Sequence, residues 1–430
     1  MCGIAGWARR EPGPADEGRL QRMCDLQRHR GPDDAGVYVS ADGKVGLGNR
    51  RLSILDLSPS GHQPMGNEAG TAWITYNGEI YNSRDLRCEL EALGHAFRSG
   101  TDTEVVLHAY EQWGTDCLGK FNGMFAFALY DQAAERLLLV RDRFGVKPLY
   151  YAWDGGTLVF ASEIKALLAG GIAPRLQRDH LPELFLFTGL TGERALFEGV
   201  KVLPPGSLPT LSLRDGSWAV EPLYVPRERV EAGRYAAGDG SSVAEHEGRL
   251  QDLLLGSVQR CLISDVPVGT LCSGGLDSSL VTAMARTLSR DVRLFHVSSK
   301  GFADMDEAAY ARAVARHVGA DLIVYEVDRK DLQRGFVDAT YFNDNPLTIV
   351  HAVPMYYVSY DGIDFSIFSN GFWGNTFGIP AERCRQAILE AGPRSFLWYH
   401  LLMLEIWGRI FLNNESPDEI RERAFQPGCD

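Results

Sequence analysis

Two regimes of hydrophobic spacing divide the chain. Before residue 226, short apolar runs and apolar–polar alternations dominate, in VGLGNRRLSILDL, TAWITYNGEIYN, MFAFALYDQAAERLLLVRD and TLVFASE. Alternation puts every second side chain on one face, and Gly, Asn and Asp bound the runs, which predicts an antiparallel sheet. Two stretches between them keep helical spacing. SRDLRCELEALGH opens on a serine suited to a helix cap, and TEVVLHAYEQWG repeats apolar residues at three- and four-residue intervals. The first half therefore reads as a layered α/β domain. Residues 226–242, PRERVEAGRYAAGDGSS, are polar, charged and glycine-rich, and read as a linker.

Beyond the linker the period changes. SVAEHEGRLQDLLLGSVQRCLI is an amphipathic helix, VPVGTLC a short buried strand, and LVTAMARTLSR a helix. VRLFHVSS, DEAAYARAVARHVG and DLIVYEV follow as strand, helix and strand. Strands alternating with helices predict a parallel, doubly wound sheet. No internal repeat or low-complexity tract interrupts either half.

At 430 residues the chain exceeds one compact core, so the expected organisation is a domain over 1–225, the linker, and a second domain over 243–430. The net charge of −13 argues against non-specific nucleic-acid binding, which needs clustered Lys and Arg. It does not exclude ATP, whose phosphates are held by backbone N–H groups and a few local charges. No apolar run reaches the roughly 18 residues of a membrane span, and MCGIAGWARREPG lacks a signal-peptide pattern. The eight cysteines are scattered without CxxC spacing, and no His/Cys pairing points to zinc. Reduced thiols in the cytoplasm are the expectation.

One cysteine, Cys2, directly follows the initiator Met. With Met1 removed, Cys2 carries a thiol and an α-amine of intrinsic pKa near ~8, which can accept the thiol proton without a histidine. Chance placement is the bland alternative for an isolated Cys2. A thiolate attacking a carboxamide generates an oxyanion that needs fixed donors. Asn77-Gly78-Glu79, after the strand TAWITY, is expected to form a tight turn offering an amide side chain and a backbone N–H. An isolated Asn-Gly is more often only a hairpin turn.

Seven motifs then occur in order: MCGIAG, RHRGPDD (28–34), RRLSILDL (50–57), YNGEIYN (76–82), SGTDTE (99–104), GMFAFALYD (123–131) and RDRFGVKPLYY (141–151). Together they resemble the class II glutamine amidotransferase domain, an N-terminal-nucleophile (Ntn) hydrolase fold of αββα type, in its asparagine synthetase form. The resemblance covers nearly all of residues 1–210. It implies that Cys2 is the nucleophile, its own amine the base, and Asn77 and Gly78 the oxyanion hole. Arg51 would pair with the glutamine α-carboxylate, where a guanidinium fork suits a planar anion. Glu79 and Asp102 would hold the α-ammonium, with Leu52, Ile54 and Gly100 completing the glutamine pocket. The residue types alone also allow Arg51 as a surface cation and Asp102 as a helix cap.

In the second half, Ser273-Gly274-Gly275-Leu276-Asp277-Ser278-Ser279 joins a strand to a helix, where glycines permit close backbone approach and a helix N-terminus favours an oxyanion. SGGLDSS resembles the PP-loop of ATP pyrophosphatases. That resemblance assigns Leu271, Ser273, Gly274, Gly275, Asp277, Ser278, Val297 and Ser369 to ATP, and Asp277 to magnesium. The tandem order is similar to glutamine-dependent asparagine synthetases, in which ammonia travels inside the protein to an adenylated carboxylate. Homodimers are common in that family.

The resemblance weakens further on. Where the family has an SGEGADELFGG-like loop, this chain has Ser369–Gly378, with Gly371, Gly374 and Asn375 at the positions of the acids. Magnesium normally takes one or two carboxylates, so Asp277 lacks its expected partner, for which Glu382 or Glu405 are candidates. Residues 339–358 resemble the acceptor-side region, whereas 380–430 match no later family segment, and the chain is shorter than typical relatives. RSFLWYHLLMLEIWGRIFL reads as a packing helix. The leading expectation is an ATP-dependent amide-forming enzyme acting on a carboxylate other than aspartate. The alternative is a glutaminase whose second domain has lost adenylation and serves as a scaffold. A purely regulatory protein is disfavoured by Cys2 and its pocket, sugar-phosphate amination by the PP-loop, and β-lactam formation by the retained cysteine.

Overall fold

The computed structural model describes residues 1–225, 240–299, 306–346 and 396–424. Contacts group them into two compact units. The first comprises residues 1–173, 192–194 and 199–266, and the second 174–191, 195–198 and 267 onward. The helix Val243–Cys261 thus falls in the first unit, and a segment before residue 199 falls in the second.

The first unit holds two six-stranded, wholly antiparallel sheets. One orders β10 (Lys201–Val202), β8 (Tyr150–Asp154), β9 (Thr157–Ala161), β1 (Gly3–Arg9), β3 (Val45–Arg51) and β2 (Asp34–Val39). The other orders β12 (Trp218–Pro222), β11 (Ser207–Ser212), β7 (Arg136–Arg141), β6 (Gly123–Asp131), β5 (Ala72–Ile80) and β4 (Met65–Gly66). Alternation along β6 explains the layering. Ala126, Ala128 and Tyr130 join Ile4, Val45, Leu47 and Phe160 of the first sheet in the inter-sheet core. Phe125, Phe127 and Leu129 face the other way, onto α2 (Ser83–Ala92) and α3 (Asp102–Trp113) through Leu86, Leu90, Val105 and Val106. On the first sheet, α1 (Glu17–Asp25) and α4 (Ile164–Ala169) pack against β1, β3, β8 and β9. Helices therefore cover both outer faces of a stacked sheet pair.

Two local expectations need correction, and one alternative reading, of Asp102 as a helix cap, falls away. Asn77, Gly78 and Glu79 lie inside β5, in continuous register with Ala126, Phe125 and Met124, so they form no turn. Pairing with β6 on one side overrides the turn preference of Asn-Gly. Ser83 is the first residue of α2 rather than its cap; Asn82 holds that position and spends its side chain on Lys120 O and Asn122 N. Asp102 does not cap α3, because Thr101 takes that place and accepts from Glu104 N.

In the second unit, β13 (Gly269–Leu271), β14 (Arg293–Ser299) and β15 (Leu322–Val327) form a parallel sheet in that order. Helices α6 (Leu276–Leu288) and α7 (Ala308–Val318) make the two crossovers and pack on one another; α5 (Val243–Cys261) precedes them in sequence. Helix α8 (Arg329–Asn343) packs against α9 (Phe396–Phe411), which buries Met403, Leu404, Ile406 and Trp407. The aromatic stretch is thus a packing helix, fixed by Trp407 Nε1 donating to Asp344 O at 2.9 Å. Among the described residues no helix is long and apolar enough to cross a membrane.

Candidate functional site

Cys2 sits just ahead of β1, whose pairing with β3 brings the thiol to the start of the 52–58 loop. Leu52 N–H donates to Cys2 Sγ at 3.4 Å, and the thiol lies 3.8 Å from Leu52 O. The Cys2 carbonyl accepts from Arg30 Nε at 3.0 Å. Arg30 is fixed in turn by Glu163, 3.1 Å away, which also takes His29 at 2.8 Å and Lys165 at 2.6 Å. Burial alone would raise the Glu163 carboxyl, but Lys165, His29 and Arg30 outweigh it and hold it at about 2. Burial pushes the Cys2 thiol up, opposed by the Leu52 N–H and the amino terminus. The terminal amine of the unprocessed chain is lowered to about 6, chiefly by burial.

On β5 the pleat sorts the site. Thr75 donates to Gly48 O of the first sheet, so Asn77 and Glu79, two and four residues on, face that sheet as well. Asn77 is 1% exposed, and neither Oδ1 nor Nδ2 has a hydrogen-bond partner. A buried amide left unsatisfied costs about 1–3 kcal/mol, and such a group needs a reason. Gly78 is required by closeness: a Cβ there would lie 2.6 Å from Met124 O. Tyr76, on the opposite face, donates its hydroxyl to Asp102 Oδ2 at 2.7 Å, and Ile80 N–H donates to the same oxygen at 2.8 Å. Burial raises the Asp102 carboxyl despite these bonds. Burial, then the Asp102 charge, lifts Glu79 to about 8. Asp102 is close enough to act on Glu79, both carboxyls are pushed toward neutrality, and a cation beside them would favour their ionised forms.

The remaining pocket residues hang on one loop. Arg51 donates to Leu55 O at 3.0 Å, Asp56 O at 2.6 Å and Ser58 O at 3.3 Å, which leaves its Nε–H and one Nη1 hydrogen uncommitted. It lines a cleft of about 690 Å³ with Asp33, Asp34, Ser53 and His62; Cys2 and Asn77 do not line that cleft. Asp56 Oδ2 takes Gly100 N–H at 2.6 Å, tying the loop to the segment before Asp102. Ile54 accepts Asp265 N–H through its carbonyl at 2.9 Å.

Against known proteins, the glutamine amidotransferase domain family matches residues 1–223 and the asparagine synthase family residues 249–361. The chain belongs to the asparagine synthetase-type glutamine amidotransferases. Asparagine synthetase [glutamine-hydrolyzing] 3 of Bacillus subtilis is 41% identical, over 66% of this chain and 45% of its own length. Asparagine synthetase [glutamine-hydrolyzing] 1 of the same organism is 33% identical, over 84% of this chain and 55% of its own. Amidase chry2 of Gibberella zeae is 34% identical, over 76% and 50%. The chain spans about half the length of these relatives.

Within the first unit Cys2 is hydrogen-bonded to Leu52 and feels the charges of Glu79 and Asp102, while Arg51 lines the separate cleft and reaches Gly100 through Asp56. Two contributors carry no assigned role in the sequence reading, although both stand in its motifs. Arg30, from RHRGPDD, orients the Cys2 carbonyl. Lys147, from RDRFGVKPLYY, is 5% exposed, and burial lowers its ammonium while the charges of Glu79 and Cys2 act to raise it. Glu163 has no local signal in the chain; only the fold shows its partners Lys165, Arg30 and His29.

In the second unit, Ser273–Ser279 closes a strand-to-helix loop. Gly275 N–H donates to Ser273 Oγ at 3.2 Å, Ser278 Oγ lies 2.9 Å from Ser273 Oγ, and Ser279 Oγ donates to Gly275 O at 2.7 Å. Gly274 has φ +88°, and a Cβ there would stand 2.5 Å from Tyr310 Cβ, so only glycine fits. Asp277 is in the first turn of α6, Leu271 at the end of β13 and Val297 on β14 beside Tyr325. Ser369, Gly371, Gly374, Asn375 and Glu382 lie outside the described residues, as do positions 347–358 of the acceptor-side stretch. Glu405 lies on α9, with its side chain outside the description.

Proposed function

We propose that the chain hydrolyses glutamine at Cys2 and supplies the ammonia to a carboxylate activated as an acyl-adenylate, the acceptor being other than aspartate. The observation that carries the first half is Asn77, a fully buried amide with no partner on the face of β5 that looks toward the first sheet. A donor kept unsatisfied in the resting protein is free for the oxyanion of a tetrahedral intermediate, with Gly78 N–H beside it. Cys2 Sγ attacks the carboxamide carbon, and its proton passes to the α-amine exposed by removal of Met1. The amine then protonates the departing nitrogen, ammonia leaves, and water releases glutamate from the thioester. Glu79 and Asp102 hold the substrate α-ammonium, and the two uncommitted Arg51 hydrogens meet its α-carboxylate. This assignment makes the first unit an Ntn hydrolase.

The second unit fits a nucleotide on its own features. The Gly274 conformation, the close approach of Tyr310 and the hydroxyls of Ser273 and Ser278 at the N-terminus of α6 suit a pyrophosphate group. Leu271 and Val297 would flank the base, and Asp277 would hold magnesium. ATP, when bound there, supplies the adenylyl group that activates the acceptor carboxylate. The unit is accordingly an ATP-pyrophosphatase-type sheet. The second reading, a glutaminase with a scaffolding partner domain, is favoured by one observation: Gly371, Gly374 and Asn375 stand where acids are expected.

Glutamate and pyrophosphate release test both. Purified chain given glutamine, ATP–magnesium and a panel of carboxylates should release glutamate in a manner lost in Cys2→Ala. Pyrophosphate that appears only with one acceptor class supports the synthetase; glutamate without pyrophosphate across the panel supports the scaffold reading.

A further inference from the structure

The loop between α2 and α3 brings together three ligating atoms that the chain keeps apart. His95 Nδ1 lies 3.0 Å from His108 Nδ1, and His108 Nδ1 lies 3.1 Å from Glu111 Oε2. All three atoms are within 4.8 Å of one another. His95 comes from the loop, whereas His108 and Glu111 sit one turn apart on α3.

The groups behind His95 and Glu111 fix which atoms face inward. His95 Nε2 meets Gln112 Oε1 at 3.0 Å, an acceptor, so this nitrogen carries the hydrogen and Nδ1 keeps its lone pair. His108 Nε2 faces two carboxylates, Glu104 at 3.8 Å and Glu68 at 3.9 Å, whose charge lies behind the ring and outside hydrogen-bond distance. Glu111 is aimed by Asn67, whose Nδ2 donates to Oε1 at 2.7 Å. Three ligating-type atoms therefore converge, held together either by one hydrogen on His108 Nδ1 or by a cation between them. The separations of 3.0 and 3.1 Å at His108 are near what one ion would impose: with Zn–N near 2.0–2.1 Å, tetrahedral ligands stand about 3.3 Å apart. Imidazole with carboxylate is a zinc-type donor set, and His95 and Glu111 each have the outer partner that such sites use.

We propose that His95, His108 and Glu111 bind one zinc ion, which fastens the 93–101 loop to α3. The loop carries Gly100 and α3 begins at Asp102, so the ion braces one wall of the Cys2 pocket without entering it. Glu104 extends the brace, since its carboxylate takes Arg98 N–H at 2.9 Å, Ser99 N–H at 2.7 Å and Ser99 Oγ–H at 2.7 Å. The competing occupant is a proton. Burial lowers His108, but Glu104, Glu68 and Glu111 outweigh it and raise it, and an imidazolium there could donate Nδ1–H to Glu111. Glu68, Glu104, Glu111, His95 and the Arg98 guanidinium paired with Glu68 are the charged and titratable groups facing it.

The full chain, stripped with chelator and dialysed, is titrated with Zn²⁺ by calorimetry, and with Co²⁺ by absorption as a reporter of ligand type. One equivalent of cobalt with a d–d spectrum and no thiolate charge-transfer band is expected, separating the site from the cysteines. Binding should be lost in His95→Ala and in the exposed-position variant Glu111→Gln, which tolerates substitution if His95→Ala does not fold. Asn67→Ala, which removes only the hydrogen bond that aims Glu111, should weaken it about 10- to 100-fold. Zinc should also raise the thermal midpoint of the wild type and leave that of Glu111→Gln unchanged. Cobalt spectra showing only thiolate ligation, or zinc uptake equal in wild type and Glu111→Gln, overturn the proposal and leave the proton as occupant. None of these readouts involves glutamine, so their failure leaves the proposed amidotransferase reaction standing.

Discussion

Replacing Asn77 with alanine should separate catalysis from stability in opposite directions. In the resting protein both polar atoms of this side chain are buried without partners. The unsatisfied amide costs on the order of 1–3 kcal/mol, and Asn77→Ala removes that penalty. The substitution also forfeits packing around three side-chain atoms, on the order of 1–2 kcal/mol at about 0.1–0.2 kcal/mol per atom pair. The two effects nearly cancel, so stability should be unchanged or higher by up to about 2 kcal/mol. Catalysis should suffer far more. Loss of one oxyanion donor typically lowers kcat by about 10²–10³, or about 2.7–4 kcal/mol of transition-state stabilisation. Because the donor acts on charge that develops during attack, KM for glutamine should move little. Initial rates of glutamate release across glutamine concentrations, read beside the thermal midpoint, test both halves. A variant within about threefold of wild-type kcat would refute the oxyanion assignment. A variant that loses stability and activity together would show that Asn77 is a structural residue.

Glu79, raised to about 8 from 4.5, binds a proton in the folded chain that the unfolded chain releases. Its stabilising contribution is therefore full below about 4.5 and lost by about 8, and Glu79→Gln should flatten that part of a midpoint-against-pH profile. Since a substrate ammonium favours the ionised carboxyl, KM for glutamine should fall as pH rises toward about 8 in wild type and lose that step in Glu79→Gln. Glu163→Ala strands the buried charges of Arg30 and Lys165, both paired to it, and should cost about 3–5 kcal/mol in denaturant unfolding, with Glu163→Gln milder. Gly274→Val puts a branched side chain where a single Cβ already meets Tyr310 at 2.5 Å, and should abolish pyrophosphate release while glutamate release persists.

Where a residue acts through its neighbours in sequence, the chain already revealed it. Alternation in MFAFALYD sorts into the two faces of β6, and helical spacing in TEVVLHAYEQWG becomes the buried face of α3. Cys2 and the SGGLDSS loop were legible for the same reason, since an N-terminal thiol and a glycine turn into a helix are local features. Asn77-Gly78 misled because its turn preference is local, whereas its place in β5 is set by pairing with Ala126 and Phe125, far along the chain. Glu163 was silent: an acid before IKALLA gains meaning only when Arg30 and His29 arrive from more than a hundred residues away. The His95–His108–Glu111 group was hidden likewise, because its members answer to no fixed metal spacing and are brought together by the loop before α3.

The central claim is that nitrogen moves from glutamine, through Cys2, to an adenylated carboxylate. Its most direct test is [¹⁵N-amide]glutamine with ATP–magnesium and a carboxylate panel, following ¹⁵N by mass spectrometry beside pyrophosphate. One ¹⁵N-amide product is expected, formed with equimolar pyrophosphate and glutamate and absent in Cys2→Ala. Protein confirmed to begin at Cys2 that releases no glutamate from glutamine would contradict it.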